Sequence, residues 1–259
     1  MDSNLPGSAV KKLQVGPPAQ FDVAHRDVLD DPKAACLAAL IARRMPSPPK
    51  QVLVVGCGSG IEAAILARQL DARVVGIDLN DRFDPSAAQF ARLQQGDACS
   101  LDFNNECFDL VYSYHALEHI PNHRQALREM CRVLKVGAWY CVGTPNRSRV
   151  VGYLGSANVS LLNKLKWNYD DWCARLAGRF RNDLGAHAGF TERELRYDLE
   201  MAFGEVNSIT LEYYLAVYRQ HASLISLLSV LRASSLLFPS VYFMGRRINE
   251  FSGAGDVRR

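Results

Sequence analysis

The sequence predicts an α/β fold: a mostly parallel sheet with helices on both faces. Three observations predict it. From residue 51 onward, short apolar strands alternate with helical stretches, the pattern of a parallel sheet covered on both sides. A glycine-rich turn, Gly56-Cys57-Gly58-Ser59-Gly60, joins the first strand of that series to its helix. The chain has 259 residues, 48% of them hydrophobic, enough for one such domain with a buried core and one elaboration.

Residues 1–25 contain Pro6, Gly7, Gly16, Pro17 and Pro18 without a periodic apolar pattern. They read as a flexible lead-in to a domain over 26–259. Apolar spacing from Asp31 to Arg44 suits a helix with Pro32 in its first turn, closed by Pro46, Pro48 and Pro49. Gln51–Val55 is a short buried strand. Ile61–Leu70 is a helix whose Ala63, Ala64 and Ala67 permit close approach to a sheet. Ala72–Asp78 is the second strand and a third precedes Gly96. Phe108–Tyr114 follows as a strand, Asn122–Leu134 as a helix and Ala138–Thr144 as a strand.

Pro145 to Ala188 breaks this rhythm. It carries Tyr153, Trp167, Tyr169, Trp172 and Phe180, with Arg and Lys outnumbering Asp. It is too long for an ordinary loop, so helices of its own are expected, and residues 147–188 read as a lid-like insertion. The pattern resumes with a helix at Glu192–Met201 and strands near Val206–Tyr214 and Ser240–Gly245. Leu224 to Phe243 is rich in Leu, Ile and Val, but Arg232, Pro239 and five serines interrupt it. It predicts a buried helix followed by a core strand rather than a membrane span.

Charged residues make up 22% of the chain and the formal net charge is +3. That composition excludes wholesale disorder and lacks the basic footprint of a nucleic-acid binder. The seven cysteines are odd in number and no pair has CxxC spacing, so a reducing compartment is expected and no metal site is assigned. The N-terminus has no basic region followed by an apolar core, consistent with a cytoplasmic location.

The chemistry starts at the glycine turn. Its glycines permit a tight bend and close backbone approach, and the helix N-terminus behind it favours an anionic ligand group. Asp78 ends the second strand, 18 residues after Gly60. A carboxylate there can accept hydrogen bonds from both hydroxyls of a ribose. Together these features fit a dinucleotide or an adenosyl cofactor.

At this point the chain resembles the class I S-adenosylmethionine-dependent methyltransferases. The resemblance runs through Val52–Gly60, Gly76–Asn80, Gln95–Phe103, Phe108–Ile120 and Leu127–Asn146, and more loosely through His187–Arg196. It implies a Rossmann-like domain with a late antiparallel strand and a helical lid. It also implies S-adenosyl-L-methionine as cofactor and S-adenosyl-L-homocysteine as product. Gly56, Cys57, Gly58 and Gly60 would line the methionine portion, and Asp78 would hold the ribose. Leu79 would pack on the adenine, Asp97 would accept from its amino group, and the Ala98 amide would reach the ring. Tyr114 and His115 would lie near the sulfonium. One position departs from the family pattern: Val54 stands where an acidic residue is common, so a contact to the cofactor's amino group is missing, and Glu62 is a weak substitute.

Acid–base candidates are His115, His119, His123 and His187, with Glu118, because an imidazole titrates in the useful range. The catalytic set is assigned to His119, His187 and His115. The expected reaction is methyl transfer to a small or medium-sized acceptor, ranked first at oxygen. The composition of the insertion favours an amphipathic or anionic acceptor. Three rivals stand beside it. A nicotinamide-dependent oxidoreductase leaves Gln95–Phe103 and His115–Ile120 unexplained. A protein or RNA methyltransferase would use the basic insertion. A non-catalytic adenosylmethionine-binding partner has only Val54 in its favour.

Overall fold

The computed structural model describes residues 31–153, 159–184, 187–231 and 233–248. The expected lead-in at 1–25 lies outside the described residues. Seven strands form one sheet: β1 (Gln51–Val55), β2 (Arg73–Asp78), β3 (Arg92–Gln95), β4 (Phe108–Tyr114), β5 (Leu134–Pro145), β6 (Asn207–Ser208) and β7 (Ser240–Arg246). Their order is β3-β2-β1-β4-β5-β7-β6. The pairs from β3 to β5 are parallel, and β7 runs antiparallel to both β5 and β6. The mostly parallel sheet with a late antiparallel strand is therefore present. The order reverses at β1 and β4, so a crevice opens at the carboxyl ends of those two strands, where ligands bind in open α/β sheets.

The helices are α1 (Pro32–Arg44), α2 (Ile61–Leu70), α3 (His123–Val133), α4 (Leu161–Leu176), α5 (Glu192–Phe203), α6 (Thr210–Val217), α7 (Ala222–Val230) and α8 (Ser234–Leu237). Each face of the sheet has its own core. On one face Leu37 and Ile41 of α1, Leu66 and Leu70 of α2 and Tyr213 of α6 pack with Val52 and Val54. On the other, Leu127 and Met130 of α3 and Leu195 and Leu199 of α5 pack with Leu53, Val55 and Val142. Alternate residues of β1 thus serve opposite faces, as the pleat requires.

Local chemistry sets the helix ends. The Asp31 side chain caps α1, accepting from the amides of Lys33 and Ala34 at 2.8 and 3.2 Å. Thr191 and Glu194 form a reciprocal capping box at the start of α5.

Two expectations need correction. The strand predicted near Val206–Tyr214 is only the two-residue β6, followed by α6. Ile209, Thr210, Tyr213 and Tyr214 favour strands by residue type, but their spacing places all four on one buried helical face. The buried helix predicted within Leu224–Phe243 is the surface helix α7. Only Ile225 is buried, and Leu224, Leu227 and Val230 are exposed. It packs on α6 and touches α8. Among the described residues, no helix is long and apolar enough to cross a membrane.

Candidate active site

The site begins where β1 ends. Gly56, Gly58 and Gly60 take φ of 71°, 53° and 89°, the left-handed region. A Cβ on Gly56 would stand 2.2 Å from the Ala116 Cβ, so only glycine lets the turn pass the loop after β4. The amides of Gly56 and Cys57 both donate to the Ile77 carbonyl at 2.9 Å, locking the turn to β2. The Gly58 amide donates to Asp78 Oδ2 at 2.9 Å, and the Asn80 amide to Asp78 Oδ1 at 3.0 Å. Two backbone donors thus orient the Asp78 carboxylate beside the turn. A Cβ on Gly58 would meet nothing within 4 Å, which marks open space over the loop.

The groove continues across the sheet edge. Leu79 is 64% exposed, an apolar side chain presented to solvent next to Asp78. Gln95 is the register partner of Asp78, so Asp97 follows at the end of the neighbouring strand. Its Oδ1 accepts from the Cys99 amide at 2.8 Å, while Ala98 is buried. Cys57 is buried, and burial with the Asp78 carboxylate nearby pushes its thiol up to about 12. It stays protonated at neutral pH and is no nucleophile. The expected cofactor residues therefore line one continuous edge, over the ends of β1, β2 and β3.

The second half lies past β4, β5 and β7. A cavity of about 410 Å³ opens there, walled by Tyr114, Tyr153, Tyr213, Tyr214, Tyr218 and Tyr242. Lys33, His115, Arg149, His187 and Ser240 supply its polar contacts. Burial holds the hydroxyls of Tyr114, Tyr213, Tyr214 and Tyr242 above their ordinary value, that of Tyr114 at about 12, so they remain neutral donors. Arg149 is largely committed: it pairs with Asp171 at 3.2 Å and donates to the carbonyls of Asn146, Ala188 and His187.

His115 has φ of 50°, unusual outside glycine, and its Nε2 lies 3.1 Å from Ser240 Oγ. Burial and the positive charge of Arg149 pull its pKa down to about 3, so the ring is neutral at physiological pH. The His119 and His187 rings meet edge to face with centroids 4.8 Å apart. Buried Glu118 lies behind them, its Oε1 3.9 Å from His115 Nδ1 and 4.0 Å from His119 Nε2. His123 is elsewhere, with Nε2 3.0 Å from Asp198 on α5, and reads as a structural contact between α3 and α5.

A family model described as a methyltransferase domain matches residues 53–142, the span that carries the glycine turn, Asp78, Asp97 and the loop after β4. The span 53–142 thus matches a methyltransferase domain. The chain is 34% identical over 140 residues to a probable chloroplastic tocopherol O-methyltransferase from Oryza sativa subsp. japonica, covering 49% of this chain and 39% of that protein. It is 28% identical over 187 residues to a ubiquinone biosynthesis O-methyltransferase from Albidiferax ferrireducens, covering 66% and 69%. The chain thus spans about two fifths of the rice relative's length. Among solved structures, it matches phosphoethanolamine N-methyltransferase 2 from Haemonchus contortus in complex with S-adenosyl-L-methionine. That match has a TM-score of 0.51 and 17% identity, over 83% of this chain and 52% of that one.

Two features of the methyltransferase domain bear on the sequence reading. Val54 is buried in the core between β1 and α2, so nothing polar reaches the groove from there. Glu62 accepts from the Tyr112 hydroxyl at 3.3 Å. The tyrosine wall was not foreseen. Its members come from β4, the insertion, α6 and β7, and only the run Tyr213, Tyr214 and Tyr218 hinted at it.

Proposed function

We propose that this chain transfers the methyl group of S-adenosylmethionine to an oxygen of a small acceptor. The observation that carries the reading is the adjacency of the two half-sites: Gly56 of the turn abuts Ala116, which directly follows the cavity-lining Tyr114 and His115. The cofactor, when bound, supplies an electrophilic methyl on its sulfonium. Asp78 is the acceptor for the ribose hydroxyls and Leu79 covers the adenine. Asp97 and the Ala98 amide meet the ring edge, and Gly56, Cys57, Gly58 and Gly60 border the methionine portion. Tyr114 lines the cavity at the end of β4, where its π face would favour a sulfonium.

The residues present fit that cofactor. The Asp78 carboxylate is held in place by two amides, an exposed Leu awaits a flat apolar partner, and the turn has open space above Gly58. The cavity walls favour an acceptor with a flat apolar body, and the tyrosine hydroxyls with Lys33 favour an oxygen-rich or anionic end. Both curated relatives described above are O-methyltransferases by name, which supports oxygen as the acceptor atom. His119 is neutral at physiological pH, because burial and His187 hold it below its ordinary value. It accepts the acceptor's proton, and the Glu118 carboxylate lies 4.0 Å from it. Alignment of the acceptor oxygen supplies the rest of the rate.

Residues 26–259 act as one domain in this reading, with 147–188 as a lid beside the cavity. Tyr153 of that segment lines the cavity, and Arg175 ties α4 to the start of the same segment by donating to the carbonyls of Arg147 and Arg149. The seven cysteines are all free, which supports a reducing, cytoplasmic setting. No nucleic acid is expected as partner.

The test is transfer of labelled methyl from S-adenosylmethionine to a panel of phenols, hydroxy acids, amines and thiols. Transfer to a phenol or hydroxy acid is expected, slowed about 100-fold by His119→Ala with cofactor affinity kept. Transfer to amines alone would overturn the oxygen assignment. Cofactor binding without transfer to any member would favour a binding partner over an enzyme.

A further inference from the structure

Glu118 presents a problem that the methyl-transfer reading does not solve. Its side chain is 1% exposed, and neither carboxylate oxygen has a hydrogen-bond partner. Burying a carboxylate without partners costs several kcal/mol, on the order expected for an ion removed from water. The nearest polar groups facing it are imidazoles, with the Arg149 guanidinium farther off. His115 Nδ1 and His119 Nε2 stand 3.9 and 4.0 Å away, too far for hydrogen bonds.

We propose that Glu118, His119 and His187 hold a divalent transition-metal ion at the edge of the acceptor cavity. One ligand atom from each lies within 4.8 Å of the others. Metal–ligand bonds of about 2.0–2.2 Å place tetrahedral ligands roughly 3.3 Å apart, so the three must close by about 1.5 Å. The His119 side chain is 54% exposed and His187 is exposed, so both rings are free to turn toward Glu118 without moving the sheet. Glu118 is the fixed member and the histidines are the adjustable ones. Arg149 donates to the His187 carbonyl but carries its own counter-ion in Asp171, so it does not bar a cation.

Two imidazoles and one carboxylate select zinc or a neighbouring first-row ion over magnesium, which prefers an all-oxygen shell. Three protein ligands leave a coordination position open, as in catalytic rather than structural sites. His187 lines the cavity, so the ion would lie at the cavity's edge. This inference extends the methyl-transfer reading. A hydroxyl bound to the ion loses its proton to water, and the resulting oxygen anion is the nucleophile that takes the methyl group. In the metal-free chain His119 receives that proton; in the loaded chain it is a ligand.

The test uses the tag-free full chain stripped with a chelator and titrated with cobalt(II) and zinc(II), followed by calorimetry and visible absorption. One ion per chain is expected, with the d–d spectrum of a low-coordinate cobalt site. Glu118→Gln and the surface pair His119→Asn/His187→Asn should each weaken binding at least tenfold. S-adenosylhomocysteine affinity, measured in the same samples, should be unchanged. That measurement also reports folding and separates loss of the metal site from failure of the cofactor reading. Absence of binding, or binding undiminished by Glu118→Gln in protein that still binds S-adenosylhomocysteine, would overturn the proposal. If Glu118→Gln fails to fold, the double histidine variant decides: full metal affinity there overturns the proposal equally.

Discussion

The carboxylate of Asp78 accepts a hydrogen bond from the Gly58 amide at 2.9 Å, joining the end of β2 to the turn after β1. In the proposed reading the bond makes cofactor recognition a property of two strands at once. It would fix the ribose acceptor relative to the backbone proposed to face the methionine portion. Preorganisation of this kind lowers the ordering cost of binding.

At Gly56 the turn has no room for a side chain. Gly56→Ala would combine a left-handed φ with a Cβ 2.2 Å from the Ala116 Cβ. The backbone term alone costs about 1–3 kcal/mol, and the clash adds to it. Thermal unfolding should fall by several degrees and S-adenosylhomocysteine affinity should drop. An unchanged melting temperature would show that the loop after β4 yields easily.

Glu62 makes stability depend on pH. Its removal from water, with the Asp31 carboxylate adding to the effect, raises its pKa from 4.5 to about 8, against a weaker lowering by the Tyr112 hydroxyl. Between those values the folded chain holds a proton that the unfolded chain releases. Stability from this group is therefore present below pH 4.5 and is lost as pH rises towards 8. Glu62→Gln stays neutral throughout, so its stability relative to the parent should rise over that window. Chemical denaturation at pH 5, 6.5 and 8 checks this, and parallel curves for the two proteins would refute it.

Much of the fold was legible because local and global signals agreed. The apolar run Gln51–Val55, the alanines of Ile61–Leu70 and the strand ending at Asp78 each allow one local structure, and packing confirmed it. The late region was harder. Ile209, Thr210, Tyr213 and Tyr214 favour strands by type, and the sheet face they cover decided for a helix. Apolar α7 suggested burial, which depends on what packs over it rather than on its own residues. The proposed cofactor groove rests on glycines and carboxylates that the sequence clusters near strand ends. The tyrosine-walled cavity could not be read, since Tyr114, Tyr153, Tyr213 and Tyr242 meet only in three dimensions.

Arg175 should matter to acceptor handling more than to cofactor binding. Its guanidinium donates to the carbonyls of Arg147 and Arg149 and lies 3.9 Å from the Phe180 ring centroid. Arg175→Ala frees α4 from the cavity rim and should lower kcat/KM for the acceptor about tenfold, equivalent to about 1.4 kcal/mol. S-adenosylhomocysteine affinity should stay constant. Equal loss of both would place the anchor in the general stability of the domain.

The central claim is that Asp78 and the glycine turn bind an adenosyl sulfonium cofactor. Calorimetric titration of the parent chain and Asp78→Ala with S-adenosylmethionine, S-adenosylhomocysteine and NAD tests it most directly. The parent should bind the first two with one site per chain and leave NAD unbound. Asp78→Ala should weaken both by roughly 10- to 150-fold, about 1.5–3 kcal/mol for charge-assisted ribose contacts. Tight NAD binding with no heat from S-adenosylmethionine, or Asp78→Ala binding as the parent does, would contradict the account.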